Sequence, residues 1–190
     1  TARAKSGISA QGYLAAAGDA LLVPTGRAVP AVLNRTDGTL QNFPLQAHQH
    51  AGGADVVVIG KYFGNSGSVY AIADGRQVGS VGLQTAVTPD WLIHAVDDVV
   101  LGLDLERLTV EREVTDRKGK KQRVTELSTP VWEIPISFNA EPAVTLSMDR
   151  QAPEVRMGST AWVTPVLEKE AAALIVAGDK AIVGGVGRVS

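Results

Sequence analysis

Short aliphatic runs, each closed by a turn containing Gly, Pro or Asp-Gly, recur along most of the 190-residue chain. The runs on either side of "NRTDGT" (residues 34–39) and of Asp74-Gly75 are of this kind. Runs of this length between tight turns are typical of β-strands and too short for most helices, and Asp-Gly is a strong hairpin signal. The chain is therefore predicted to fold mainly into antiparallel β-sheet.

The expected architecture is a single β-rich domain over residues 1–190, with a sandwich or barrel-like body. Aromatic residues make up only 5% of the chain, so Val, Leu, Ile and Ala must fill the core. Pro30 and Pro44 cannot donate to a strand ladder, which predicts that the hairpin around Asp37-Gly38 lies at a sheet edge. The apolar run Val56–Ile59 is predicted to be a strand buried on both faces. No internal repeat is visible.

Two segments carry helix signals. Thr88-Pro89-Asp90 resembles a helix start, and Leu92, Val96, Val99, Val100 and Leu103 follow at helical spacing. A second helix is predicted from Thr164-Pro165 through "VLEKEAAAL" to Gly178. The body is therefore expected to carry one or two short helices.

A charged β-hairpin is predicted at residues 104–136. Leu108, Val110 and Val114 alternate with polar residues, "DRKGKK" (residues 116–121) supplies the turn, and a second arm runs from Val124 to Ile136. The distal half is almost wholly charged, so it should project from the body. An isolated two-stranded ribbon is only marginally stable, and a partner usually holds it in place.

The composition excludes several classes of protein. The chain has no Cys, which excludes a disulfide framework, a thiolate metal site and a Cys nucleophile. No apolar run approaches the length of a membrane span. A net charge of −2 leaves no global attraction for nucleic acid. A chain that begins at Thr1 fits either removal of an initiator Met or cleavage of a signal.

His48 and His50 are the strongest candidates for active-site chemistry. Two His at i and i+2 on a strand share a face, and the arrangement resembles the His-x-His of the cupin family. The Glu that follows in that family is missing here. The third His, His94, lies beside Asp97 and Asp98 on the predicted helix. The alternative is a solvated turn before the Val56–Ile59 run, and this interpretation assigns no metal, no cofactor and no catalytic residue.

The charged hairpin is the better candidate for a functional surface. Its acidic residues nearly cancel the basic residues of its tip, which favours contact with a partner subunit over binding of nucleic acid. The predicted partner-binding residues are Glu111, Arg112, Glu113, Arg117, Lys118, Lys120, Lys121 and Arg123.

These features predict a non-enzymatic structural protein that acts by packing against copies of itself and other subunits of a large assembly. The Cys-free composition, rich in Gly, Ala and Val, favours a bacteriophage virion component made in the host cytoplasm: a capsid decoration, neck or tail protein. One alternative is a β-domain of a bacterial envelope or secretion system, since "LLVPTGRAVPAVLN" (residues 21–34) resembles a segment of pore-forming secretion proteins. The other alternative is a cupin-like metal-dependent enzyme that uses His48 and His50.

Overall fold

Regular structure in this protein is almost entirely antiparallel β-strand. The computed structural model describes residues 8–26, 28–43, 52–96, 99–135, 143–147, 154–157, 171–177 and 180–185. The chain divides into two compact units, Thr1–Ser80 and Val81–Ser190. The mainly antiparallel β fold predicted from the sequence is confirmed.

The described residues of the first unit form two four-stranded sheets in which each strand pairs with the next one along the chain. The first sheet comprises β1 (Ala15–Ala17), β2 (Ala20–Val23), β3 (Ala31–Asn34) and β4 (Leu40–Asn42). The second comprises β5 (Val57–Ile59), β6 (Tyr62–Asn65), β7 (Ser68–Ala71) and β8 (Gln77–Ser80). Gly18 (φ 57°) and Gly60 (φ 59°) begin the two-residue turns β1–β2 and β5–β6, where a positive φ favours Gly.

The core of the first unit is formed by side chains from both of its sheets. Phe63 and Tyr70, on neighbouring strands of the second sheet, stack with their ring centroids 5.3 Å apart. Their buried partners from the first sheet and the β2–β3 connection are Ala20, Leu22, Val29 and Val32. Burial of these aliphatic and aromatic side chains is the main favourable term that holds such sheets together.

In the described part of the second unit there are two further four-stranded sheets and a separate two-stranded one. One sheet comprises, in spatial order, β9 (Gln84–Val87), β10 (Trp91–Val96), β11 (Val99–Asp104) and β14 (Trp132–Pro135). A hairpin consists of β12 (Thr109–Thr115) and β13 (Lys121–Leu127). The last sheet has the order β16-β15-β18-β17 and comprises β15 (Ala143–Ser147), β16 (Glu154–Met157), β17 (Ala171–Ala177) and β18 (Lys180–Gly185).

Three of the four-stranded sheets share one register between their central strands. The first residue of the second strand pairs with the last residue of the third: Ala20 with Asn34, Tyr62 with Ala71, and Trp91 with Asp104. The residue after the third strand then donates its backbone N–H to the carbonyl of the residue before the second strand. These bonds are Arg35 to Asp19 (2.7 Å), Ile72 to Lys61 (3.1 Å) and Leu105 to Asp90 (2.9 Å). Each of these three sheets is also a four-stranded meander, in the orders β1-β2-β3-β4, β5-β6-β7-β8 and β9-β10-β11-β14, and this shared topology is a repeat that the sequence does not display.

The repeat differs in how its third strand connects to its fourth. In the first two sheets this connection is a tight turn, residues 35–39 and 72–76, where Asp37 and Asp74 each accept a backbone N–H two residues ahead. In the third sheet residues 105–131 fill the same place. They begin with a 3-10 turn, Leu105–Arg107, and then form the hairpin β12–β13. The hairpin is therefore an insertion at a fixed point of the repeat.

The helix predicted to start at Thr88 is wrong, because the chain forms β10 and β11 there. Thr88 does accept N–H groups as a helix cap would, from Asp90 (3.3 Å) and Trp91 (2.9 Å), but the turn leads into a strand. Trp91 through Ala95 are all buried, so β10 is covered on both faces. Such a run satisfies helical and strand periodicity equally.

Other expectations need correction as well. Residues 171–177 form β17, so the second predicted helix does not extend there, and the rest of its proposed span, up to residue 170, lies outside the described residues. β5 is an edge strand with Val57 and Val58 only half-buried. In the predicted edge hairpin only β4 is at the edge, since β3 lies between β2 and β4. Within the described residues the only helical element is the turn Leu105–Arg107. The single-domain organisation of residues 1–190 stays a prediction.

Gly102→Ala tests the packing inside the third sheet. A Cβ at Gly102 would overlap the indole of Trp132, which packs edge-on against Trp91 with ring centroids 5.8 Å apart. We expect a loss of about 1–3 kcal/mol in the free energy of unfolding, measured by urea titration, with a weaker near-ultraviolet circular dichroism signal. Gly64→Ala is the control, since its Cβ would meet its nearest neighbour, Ile59, at 3.5 Å. Equal effects in both variants would contradict this interpretation.

Candidate functional site

The candidate site is the hairpin β12–β13 with its turn, residues 109–127, hereafter the ribbon. Its strands pair in continuous register from Thr109 opposite Leu127 to Thr115 opposite Lys121. Because side chains alternate along each strand and opposed residues share a face, this register defines two faces. The charged face carries Glu111, Glu113, Lys121 and Arg123, whereas the valine face carries Val110, Arg112, Val114, Gln122, Val124 and Glu126.

A single carboxylate organises the tip of the ribbon. Oδ1 of Asp116 accepts the backbone N–H groups of Lys118 (2.8 Å) and Lys120 (2.9 Å). Gly119 has a φ of 80°, which favours Gly, and its N–H donates to the carbonyl of Asp116 (2.9 Å). Asp-Arg-Lys-Gly-Lys therefore forms a closed turn that leaves its basic side chains exposed.

The base of the ribbon is closed by the backbone and by burial. Ser128 donates its N–H to the carbonyl of Leu108 (2.8 Å) directly below the first strand pair. The side chain of Leu108 is buried, with only 4% of its surface exposed. The two ends of the ribbon are thus hydrogen-bonded to each other and anchored by an apolar side chain.

All eight predicted partner-binding residues lie on the ribbon and all are exposed. Glu111, Glu113, Lys121 and Arg123 share the charged face, and Arg112 lies on the opposite one. The remaining three, Arg117, Lys118 and Lys120, belong to the tip. The second arm is shorter than predicted, because it ends at Leu127 and residues 132–135 pair with β11 instead. That the ribbon projects from the body stays a prediction.

Two ion pairs cross the ribbon diagonally, one on each face. Nζ of Lys121 lies 2.7 Å from Oε1 of Glu113, and a guanidinium nitrogen of Arg112 lies 3.7 Å from Oε2 of Glu126. All four side chains are between 43% and 73% exposed. Exposed pairs of this kind contribute about 0–1 kcal/mol each. Neither ion pair therefore contributes much to the stability of the ribbon.

The valine face was not recognised as a surface from the sequence. Val110 is 43% exposed, and Val114 and Val124 are half-buried. The period-2 spacing of Val110 and Val114 was visible, but placing Val124 on the same face required the strand register. The valine face is therefore only partly open to solvent.

Of the predicted metal candidates, only His94 lies within the described residues. His48, His50, Asp97 and Asp98 lie outside the described residues. His94 lies within β10, not on a helix, and its Nδ1 accepts the N–H of Gly82 (3.0 Å). Among the residues that the structure describes, no three His, Asp or Glu side chains form a group that could hold a metal.

Burial determines the protonation of His94. Only 6% of its surface is exposed, and this desolvation lowers its pKa from 6.5 to about 4. The imidazole is therefore neutral at pH 7, with its proton on Nε2 because Nδ1 accepts a hydrogen bond. Gly82 packs so closely on β10 that a Cβ would overlap the carbonyl of Ala95. In this position His94 holds the loop before β9 against the strand.

Comparison with known proteins identifies no family. No family model matches the chain, and no curated protein matches it. Among solved structures, it is similar to the computationally designed Ika8 protein (TM-score 0.48, 11% identity), over 90% of this chain and 41% of that one. The designed Ika4 protein has a TM-score of 0.40 at 14% identity, over 78% and 94% of the two chains. BamB from Moraxella catarrhalis has a TM-score of 0.37 at 9% identity, over 91% and 84%.

Likenesses with TM-scores this low carry no argument about what the chain does. Within the described ranges, no helix is long and apolar enough to cross a membrane.

The structural role of His94 predicts a pH-dependent stability. Between pH 6.5 and about 4 the unfolded chain binds a proton that the folded chain does not. The free energy of unfolding should therefore fall as the pH drops through this window, by an amount on the order of 2 kcal/mol, and be retained in full above it. Urea titrations at the two ends of the window measure this.

His94→Gln is the matched control, since its amide oxygen can still accept the N–H of Gly82 but does not titrate. We expect the variant to lose less stability than the unmodified chain over the same pH interval. An identical loss in both chains would show that His94 is not the responsible group.

Proposed function

We propose that this chain is a non-enzymatic assembly protein that binds partner subunits through the ribbon. The observation that carries the proposal is the position of the ribbon in the repeat. Where two sheets have the tight turns 35–39 and 72–76, the third has residues 105–131. Insertions in repeated architectures extend connections on a conserved scaffold, and such connections commonly carry binding residues.

The chemistry of the ribbon supports contact with protein. Both strands carry acidic and basic residues, and none of residues 117–123 is buried. A surface with both signs of charge discriminates between partners and sets their orientation. The tip has five cations in residues 117–123 and no aromatic side chain on which a base could stack. This favours a protein partner over nucleic acid.

The setting we propose is a bacteriophage virion, with the chain as a capsid decoration, neck or tail protein. The support is the composition, free of Cys and rich in Gly, Ala and Val. The partners are then copies of this chain and other subunits of the particle. A bacterial envelope or secretion-system assembly is the alternative setting, and the genes that neighbour this one would distinguish the two.

Removing the ribbon tests the proposal. In the test variant an Asn-Gly turn joins Val110 directly to Glu126, the first hydrogen-bonded pair within the ribbon. We expect the variant to fold, because the bond between Ser128 and Leu108 and the buried Leu108 are kept. We also expect the unmodified chain to self-associate in light scattering over a concentration series, and the variant to lose this self-association.

The control removes charge from the equivalent connection in the second sheet. Asp74 and Arg76 form an exposed ion pair there (3.7 Å), and Asp74→Asn with Arg76→Gln neutralises both while keeping an acceptor at position 74. This variant should associate like the unmodified chain. The proposal fails if the ribbon-free variant associates normally, or if the unmodified chain is a monomer throughout.

A further inference from the structure

The sheet formed by β15 to β18 has the register that the three meanders share. Read from β17, its spatial order is β17-β18-β15-β16, so β18 is its second strand and β15 its third. The first residue of the second strand, Lys180, pairs with the last residue of the third, Ser147. Ala20 and Asn34 form the corresponding pair in the first sheet. The last sheet is therefore a fourth example of the same repeat.

Two further observations identify β17 as the first strand of this sheet. It lies beside β9, the first strand of the preceding sheet, just as β1 lies beside β5 in the first unit. Two residues join it to the second strand, because Ala177 pairs with Lys180. Those two residues are Gly-Asp, the dipeptide that also joins β1 to β2 as Gly18-Asp19.

The order of strands along the chain distinguishes the fourth sheet from the meanders. In the meanders only residues 24–30, 66–67 and 97–98 separate the second strand from the third. In the fourth sheet the third and fourth strands, β15 and β16, come first along the chain, and β17 and β18 follow as the first and second. Residues 148–179 therefore separate the two strands of its central ladder. The hairpin β17–β18 reaches β15 by docking rather than through a short turn.

We propose that the edge of β15 is a docking site for a β-hairpin, and that β17–β18, hereafter the clasp, fills it and can detach while the three meanders stay folded. Closing a long loop costs more conformational entropy than closing a short one, and the β15–β18 ladder closes a longer loop than the central ladders of the meanders. Segments of a protein can open as separate cooperative units. The inference does not depend on the proposed function.

Apolar side chains on one face of β17 hold the clasp in place. All seven residues of β17 are apolar, and the strand packs against β9 and β10. Leu174 and Val176 are half-buried, whereas Ile175 is exposed. In the meanders, by contrast, core residues such as Leu22 and Leu92 are fully buried. Because burial of apolar surface is the main favourable term, the clasp is held less strongly than the strands of the meanders.

Detachment of the clasp leaves one edge of β15 with unpaired backbone groups. Such an edge accepts a strand of matching register from the same chain or from another molecule. A detached clasp should therefore exchange between two copies of this chain, and this exchange can be trapped.

Disulfide trapping tests whether the clasp detaches. The chain has no Cys, so Ser147→Cys in one chain and Lys180→Cys in another place single thiols on the two sides of the β15–β18 ladder. Mixed without denaturant in a glutathione redox buffer, the two chains should form a disulfide-linked heterodimer, seen on a non-reducing gel. A mixture of Lys61→Cys, an exposed position in the first unit, with Lys180→Cys measures linkage by random collision.

The matched control uses the equivalent pair of the first sheet, with Ala20→Cys and Asn34→Cys on separate chains. We expect the clasp pair to give at least about tenfold more heterodimer than this control, because docking raises the effective concentration of the two thiols. A yield from the clasp pair no greater than that of the control or of random collision would overturn the inference.

Hydrogen exchange tests which side chains hold the clasp. Val176→Thr keeps the β-branched shape but removes apolar surface from the half-buried face, so the backbone amides of β17 and β18 should exchange about fivefold faster. Ile175→Thr alters the exposed face and should leave this rate unchanged. The amides of β10 and β11 should keep their rates in both variants. Equal acceleration in the two variants, or acceleration that includes β10 and β11, would overturn the inference.

Discussion

The structure depends on the hydrogen-bond ladder between the second and third strands of its sheets. Every backbone N–H and C=O removed from water must find a partner, and in a sheet the neighbouring strand supplies it. In three sheets this ladder ends at the same point, with bonds such as Arg35 to Asp19 and Leu105 to Asp90. The end of the ladder determines where the chain leaves the sheet, and thus where the ribbon can be inserted.

The class of fold and several turns could be predicted from the sequence, because Gly, Pro and Asp-Gly determine the backbone conformation at their own positions. The secondary structure between Thr88 and Asp104 could not be predicted in this way. A run buried on both faces loses the alternation that identifies a strand, so spacing alone favoured a helix. The repeat was hidden for a similar reason: it consists of backbone register, which many side chains satisfy, so that Asn34, Ala71 and Asp104 occupy equivalent positions.

Part of the candidate site could also be predicted from the sequence and part could not. The charges of the ribbon could be found from the sequence because composition and alternation are local, and all eight residues predicted there are exposed on one element. Which of them share a face could not be found, since that depends on pairing across the turn. The pairing of the two strands places Arg112 on the face opposite Glu111 and Glu113. The same pairing places Val124 on the face of Val110 and Val114. The role of His94 depends on Gly82, which contacts it from a neighbouring loop.

Because its base is closed, the ribbon can be replaced by another segment without changing the sheet below it. Since Ser128 and Leu108 are bonded to each other, the sheet below is complete whatever chain lies between residues 109 and 127. Substitutions, extensions or shortening above that bond leave the ladder between β10 and β11 intact. Descendants of this chain can therefore vary in the ribbon while the scaffold remains the same, and the ribbon is the segment in which their sequences should diverge first.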